Sequence, residues 1–313
     1  MNQRTFWEIP VTTLASGYRL ALPVHEINGA QPGPTLGMTA LIHGDELLPN
    51  VIFRRIWQEL DAARLRGRLL LMPVANPLAL ESYTRNTPLD MGNLNRLYPG
   101  APDGLFTELL ANVMMDHFVP ELDYLLDWHA GGTFPIVDYV FNSPGAPDLA
   151  HAFGLSVIYD GPVFDGALAR LAEEQGVPTV IVEIGGGGLL DARYIAVGVR
   201  GVYNVMKALG MMDGNPEVPQ NQVVVSELET IRPRTGGVLF PELSLEQIGK
   251  IVSGGTVLGR VISPYTFEEL EVLHAPFAAS LIVLLRATPT RVNPGDYAFM
   301  AANADTIEEQ TTT

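Results

Sequence analysis

TLGMTALIHGDELLPN, residues 35–50, carries small and branched apolar residues into His43 and then resumes with helical spacing from Glu46 through ELLPNVIFRRIWQELDAARL. The change of period marks a strand-to-helix junction. Polar side chains at such a junction stand at the carboxyl end of a buried strand, where open α/β sheets place their ligands. His43 and Glu46 are three residues apart, a spacing that the first turn of a helix can bring to one side. Imidazole nitrogen and carboxylate oxygen together suit zinc. HxxE on its own recurs in many sequences, however, and an acid favourably placed at a helix start reads equally well there.

Outward from this junction the alternation continues. PTLGMTALIH, GRLLLMPVAN, DYLLDWHA, VDYVFN, LSVIYD and VPTVIVEIG read as strands, and helices are expected near 46–64, 105–118, 148–153, 166–175 and 189–209. This order predicts an α/β fold, a parallel or mixed sheet flanked by helices on both faces. Residues 5–27 read as two strands at the sheet edge. The stretch 76–104 is rich in Pro, Asn and Gly without periodicity, and loops of that length inside a compact domain usually carry function. MMDGNPEVPQN, residues 211–221, breaks the composition; beyond it short strands alternate with Gly and Pro. The division expected is a first domain over 1–221, a small all-β domain over 222–301 and a flexible tail over 302–313.

Composition restricts the chemistry. A chain of 313 residues with 47% hydrophobic content can bury a large core. No apolar run approaches the roughly 20 residues that cross a bilayer, and MNQRTFWEIP has no signal-peptide pattern, so a soluble, cytoplasmic protein without a membrane partner is expected. Zero cysteines exclude disulfides, thiolate metal sites and a thiol nucleophile, leaving any metal to His, Asp and Glu. The net charge of -16 opposes attraction to nucleic acid. Basic residues are skewed, with two lysines, Lys207 and Lys250, against 17 arginines. Arginine forks both oxygens of a carboxylate, so a small anionic substrate can be paired locally within an acidic surround.

Three further clusters bear reactive groups. His129 in LDWHAGG ends another apolar strand, and with His43 and Glu46 it completes a His2Glu set that leaves zinc a fourth position for water or substrate. Asp127 shares the strand face of His129 and reads as its hydrogen-bond partner or as an ordinary structural acid. Glu183 in VPTVIVEIGGGG follows six mostly apolar residues, which places it at the carboxyl rim of the sheet, as a proton carrier or a helix-capping acid, unless it is buried at a cost. Arg85, Asn95 and Arg96 lie in the long loop, where Arg with Asn can clamp a carboxylate or stabilise an oxyanion.

Taken in order, HGDE, SYTRNTPLDMGNLNRLYPG, LDWHAGG and VEIGGGG resemble the succinylglutamate desuccinylase/aspartoacylase family, relatives of the zinc carboxypeptidases. The resemblance implies a carboxypeptidase-like α/β domain followed by a β-domain that narrows access to one zinc ion per chain. By it, His43, Glu46 and His129 match the metal ligands and Glu183 the general acid/base. Arg85 matches the arginine that polarises the scissile carbonyl, and Asn95 with Arg96 the pair that grips the substrate carboxylate. The interval from Arg85 to Asn95 is longer than in aspartoacylase proper, and VEIGGGG replaces bulkier residues; the pattern is that of the broader branch that deacylates N-acetyl-diaminobutyrate and other acylated amino acids. The implied activity is hydrolysis of a small N-acyl amino acid at its amide. A metallocarboxypeptidase and a noncatalytic binding relative stand as alternatives, and a homo-oligomer is left open. GGVLFPEL, SGGTVLGRVIS and VLHAPFAASLIVLL resemble biotinyl/lipoyl-like half-barrels without the modified lysine, so a lid or oligomer contact is expected there. Tyr265, His274 and Tyr297 could reach the cleft, although core or surface places are favoured for each.

Overall fold

The computed structural model describes residues 3–188 and 190–309. In chain order the first part contains β1 (Arg4–Thr13), β2 (Arg19–Asn28), β3 (Gln31–Thr39), α1 (Leu48–Glu59), β4 (Arg66–Met72), α2 (Pro77–Ser82), α3 (Phe106–His117), β5 (Tyr124–His129), β6 (Pro135–Phe141), α4 (Pro147–Phe153), β7 (Val157–Tyr159), α5 (Leu168–Glu174), β8 (Thr179–Gly186) and α6 (Ala192–Ala208). The second part adds β9 (Val223–Val225), β10 (Leu228–Ile231), β11 (Gly237–Pro241), β12 (Ile251–Ser253), β13 (Val257–Ile262), β14 (Glu269–His274), β15 (Ala279–Arg286), β16 (Thr290–Val292), β17 (Phe299–Asn303) and β18 (Glu308–Glu309).

Among the described residues fourteen strands form one mixed sheet, with the main order β1-β2-β4-β3-β5-β8-β6-β15-β17-β10. Its centre, β4-β3-β5-β8, is parallel. β6 joins β8 antiparallel, and β15 joins β6 antiparallel. Strands β14-β13-β11-β16 make a separate antiparallel sheet of four. This is the expected helix-flanked mixed sheet with a small all-β unit after it. Within 222–301, however, β10, β15 and β17 hydrogen-bond into the main sheet rather than standing beside it.

The central strands are apolar on both faces because both are covered. On one face Leu36, Met38, Leu126, Trp128, Val180 and Val182 pack beneath α1, α4 and α6. On the other, Leu70, Met72 and Leu125 meet α3 and α5. Trp128 stands edge-on between Phe53 and Phe153, with ring centroids 5.8 and 5.4 Å away.

Two local departures concern the junction and the loop. The helix expected from Glu46 begins at Leu48, with Pro49 in its first turn, where a missing N–H costs nothing. Glu46 therefore sits on a tight turn, its N–H donating to the His43 carbonyl at 3.3 Å. Inside the long loop Asn76 caps the short α2, accepting from the Ala79 N–H at 3.2 Å. Residues 302–309, expected in the tail, include the end of β17, a 3-10 turn at Ala304–Thr306 and β18, whereas 310–313 lie outside the described residues. No helix among the described residues is long and apolar enough to cross a membrane.

Candidate metal centre and its cleft

Three strand ends bring the reactive side chains together. β3 stops at Thr39, and Leu41 then takes a left-handed backbone (φ 56°), which turns His43 out of the strand direction. A branched residue adopts that conformation only under local compulsion; here the Leu41 carbonyl is held by the Asn76 N–H at 3.0 Å. Gly44 follows because α2 presses against the turn: a Cβ there would lie 2.0 Å from the Ala79 backbone. The next two strands complete the group. In the β5–β8 ladder His129 is the register partner of Glu183, so the two side chains leave the sheet on the same face.

His43, Glu46 and His129 are buried, and each offers a ligand atom within 4.8 Å of the others. Glu46 Oε1 lies 2.8 Å from His43 Nδ1, and Oε2 lies 3.0 Å from His129 Nδ1. Both imidazoles thus aim Nδ1 at one carboxylate. Behind His43, Asn93 Oδ1 stands 3.1 Å from Nε2. Behind His129, Asp127 Oδ2 lies 3.4 Å from Nε2, while Asp127 Oδ1 accepts from the Thr39 hydroxyl at 2.7 Å. With Nε2–H donated backwards to these oxygens, Nδ1 is on each ring the nitrogen turned inward, the one available to a metal once its proton is lost.

The charges of the group fit a cation. Two buried carboxylates, Glu46 and Asp127, face two imidazoles, and such charge is not left uncompensated inside a protein. Protonation supplies part of the compensation: burial favours the neutral His129 ring, but the adjacent Asp127 and Glu46 outweigh it and hold its pKa well above the ordinary value. His43 is lowered by burial and by Arg85. Burial works against the Glu46 charge too, yet the two histidines hold its pKa far below the usual carboxylate range. A divalent ion on these two nitrogens and one carboxylate supplies the same compensation with ligands of the preferred kind.

Around this centre opens a cleft of about 1000 Å³. Arg85 reaches into it, its guanidinium 3.1 Å from Glu46 Oε1 and 3.3 Å from His43 Nδ1. Glu183 lines the wall with one face still open to the cleft; burial of the remainder pushes its carboxyl up to about 8, with His129 and Arg85 opposing and Glu46 adding to the rise. Arg96 lies flat on the Phe164 ring, 3.9 Å from its centroid. Asn95, expected with Arg96 to grip the substrate carboxylate, also lines the cleft. Its Oδ1 accepts from the Leu168 N–H at 2.9 Å, and its Nδ2 lies 3.2 Å from His129 Nε2, packed against the back of the ring.

The sequence reading missed or under-weighted some residues around the site. Asn93, behind His43, was hidden among loop asparagines. Asp45, beside the expected ligands, accepts from the N–H and hydroxyl of Thr133 at 3.1 and 3.2 Å and ties the turn after His129 to the first junction. Tyr297, expected in core or surface, faces the cleft instead, with the Arg232 guanidinium 4.1 Å and that of Arg85 6.0 Å from its ring. Tyr265 and His274 are exposed and do not line it.

A family model described as the succinylglutamate desuccinylase/aspartoacylase catalytic domain matches residues 32–209, more than half of the chain. The chain belongs to the succinylglutamate desuccinylase/aspartoacylase family. Within that match lie all seven residues singled out above for the metal, the proton and the substrate, whereas Arg232 and Tyr297 enter the cleft from beyond it. A curated relative, the N-alpha-acetyl-L-2,4-diaminobutyric acid deacetylase of Halomonas elongata, is 29% identical over 328 residues, covering 98% of this chain and 92% of the relative. Among solved structures, the product-bound ectoine utilization protein EutE of Ruegeria pomeroyi has the same fold, with TM-score 0.84, 24% identity and coverage of 96% of this chain and 95% of that one. An aspartoacylase family protein of Mesorhizobium loti gives TM-score 0.80 at 26% identity, covering 97% and 95%. The family fold therefore extends through the carboxy-terminal strands as well.

Proposed function

We propose that this member of the succinylglutamate desuccinylase/aspartoacylase family is a zinc-dependent deacylase that hydrolyses the amide of a small N-acyl amino acid. The observation that carries the reading is the buried His43–Glu46–His129 group with Glu183 one strand away in register, both opening into one cleft. The 29% identical relative named for deacetylation of an acylated diamino acid supports the substrate class.

His43, Glu46 and His129 would hold the zinc, which when bound supplies a Lewis acid and lowers the pKa of water towards roughly 7. Glu183 carries the proton. Its carboxylate takes one from the attacking water and returns it to the departing amide nitrogen, and a carboxyl raised towards the working pH exchanges protons in both directions. Arg85, already beside the ligands, donates to the carbonyl oxygen as negative charge grows there. Arg96 pairs with the substrate carboxylate, held in place by Phe164 and by its own donation to the Asn95 carbonyl at 2.6 Å. Asp127 keeps the His129 ring oriented from behind.

The test pairs elemental analysis of the purified protein with hydrolysis of N-acetyl amino acids and of short unblocked peptides. One zinc per chain with turnover confined to the acylated amino acids is the expected result. Turnover confined to peptides would make the protein a carboxypeptidase, and absence of both metal and activity after zinc is added would refute the reading.

A further inference from the structure

The metal-site residues account for one end of the cleft; its floor continues well beyond them. The registers of the main sheet trace that floor strand by strand. His129 on β5 pairs with Glu183 on β8, and Glu183 with Tyr139 on β6. Two residues back along β6, on the same face, Val137 pairs with Leu284 on β15, Leu284 with Met300 on β17, and Met300 with Thr230 on β10. Register partners leave a sheet on one side, so these side chains form a continuous strip. All of them line the same cavity. The strip begins with an imidazole and a carboxylate, is apolar from Val137 to Met300 and ends at Thr230; Val137, Tyr139, Leu284 and Met300 belong to one apolar cluster.

We propose that this strip is a subsite for an extended apolar group of the substrate, so that the preferred substrates are N-acyl amino acids bearing a chain of four or more carbons, or a ring, on the acyl half or on the amino-acid half. The inference rests on the deacylase reading and specifies its substrate class. A cleft of about 1000 Å³ is at the upper end of the 300–1,000 Å³ usual for small-molecule sites, and an acetyl group on a short amino acid does not extend along the strip. The strip's own side chains are nearly buried, so the gain comes from the apolar surface of the substrate that leaves water, an effect of roughly fourfold in binding for each methylene buried. The polar groups at the other end, Arg85 and Arg96, fix the amide and carboxylate, which leaves the apolar group to extend along the strip.

Two substrate series and a binding measurement test this. In the first series one amino acid carries acetyl, butyryl, hexanoyl or octanoyl groups; in the second, acetyl is kept while the side chain passes from alanine to norleucine and phenylalanine. A rise in kcat/KM of at least about tenfold along either series is expected, and the series that rises identifies the half bound by the strip. Thr230→Trp, which fills the far end, should lower the long-to-short ratio, and Met300→Ala should shift the optimum to a longer chain. Calorimetry of the zinc-loaded protein should show hexanoate binding more tightly than acetate, with a more negative heat-capacity change, and should lose that difference in Thr230→Trp. Flat or falling kcat/KM in both series overturns the proposal while leaving the deacylase reading intact. Absence of hydrolysis in every series refutes that reading and with it the substrate class; calorimetry then decides the apolar subsite, which equal affinity for hexanoate and acetate excludes.

Discussion

Asp138 gives a prediction that depends on the fold and not on the metal. It lies on β6 between Val137 and Tyr139 and so faces away from the cleft, towards Arg193 and Tyr194 at the start of α6. Burial pushes its carboxyl from 3.8 up to about 6, with Arg193 only partly offsetting the rise. A carboxyl with a raised folded-state pKa binds its proton more tightly folded than unfolded. Its contribution therefore favours folding below pH 4, weakens between about 4 and 6, and leaves a full penalty above 6. The gap from 3.8 to about 6 corresponds to about 3 kcal/mol as a ceiling, less whatever contact with water the carboxyl retains. Asp138→Asn removes the titration. Urea midpoints of parent and variant, measured from pH 4 to pH 8, should diverge as pH rises, with the variant the more stable above pH 6; other titrating groups cancel in the difference. Parallel curves across that range would refute the account of burial at this position.

Glu183→Gln should lower kcat by about 10²–10⁴ while KM and zinc content stay close to the parent, since the amide retains shape but moves no proton; an equal loss in Glu183→Gln and in an exposed control such as Glu246→Gln would remove Glu183 from the chemistry. Glu46→Ala, read by elemental analysis, should reduce zinc from one per chain to near zero, because both imidazoles lose the carboxylate they converge on. Gly44→Ala should destabilise by the order of 3 kcal/mol or prevent folding, as its methyl group would meet the Ala79 backbone and not a movable side chain. Trp128→Ala, in the core directly behind His129, should cost about 3–5 kcal/mol in thermal or urea unfolding.

The amino-terminal half of the fold was legible because its strands are buried on both faces and stop abruptly at charged or aromatic polar residues. Apolar runs ending at His43, His129 and Glu183 revealed both the sheet and the rim of the site at once. The helix start assumed at Glu46 was two residues too early; Pro49 sets the start, and the placing of His43 and Glu46 comes from the turn before it. What local pattern does not encode is which strand lies beside which. The pairing of β15 with β6 joins residues about 150 positions apart in sequence, and nothing in ASLIVLLRA distinguishes that partner from another apolar strand. For the same reason Arg232 was unreadable as a cleft residue, and Tyr297 could be offered only as one of three candidates: their place depends on that pairing. Asn95 shows a different limit: residue type and its neighbour Arg96 suggest a ligand clamp, and nothing local in the sequence encodes that its Oδ1 accepts from the Leu168 N–H, 73 residues away.

The hydrogen-bonded joint between β6 and β15 governs how anything enters. Because backbone ladders run unbroken from β1 to β10 through that joint, the floor of the cleft is one stiff plate, and β15, β17 and β10 cannot swing away from the first part without breaking it. Segments outside the ladder, around Tyr83–Asn86, Pro162–Asp165 and Gly295–Tyr297, line the same cleft. A protease cut after the 211–221 connector should accordingly leave two pieces that stay together under native conditions, and a chain ended there by a stop codon should bare the edge of β6 and precipitate.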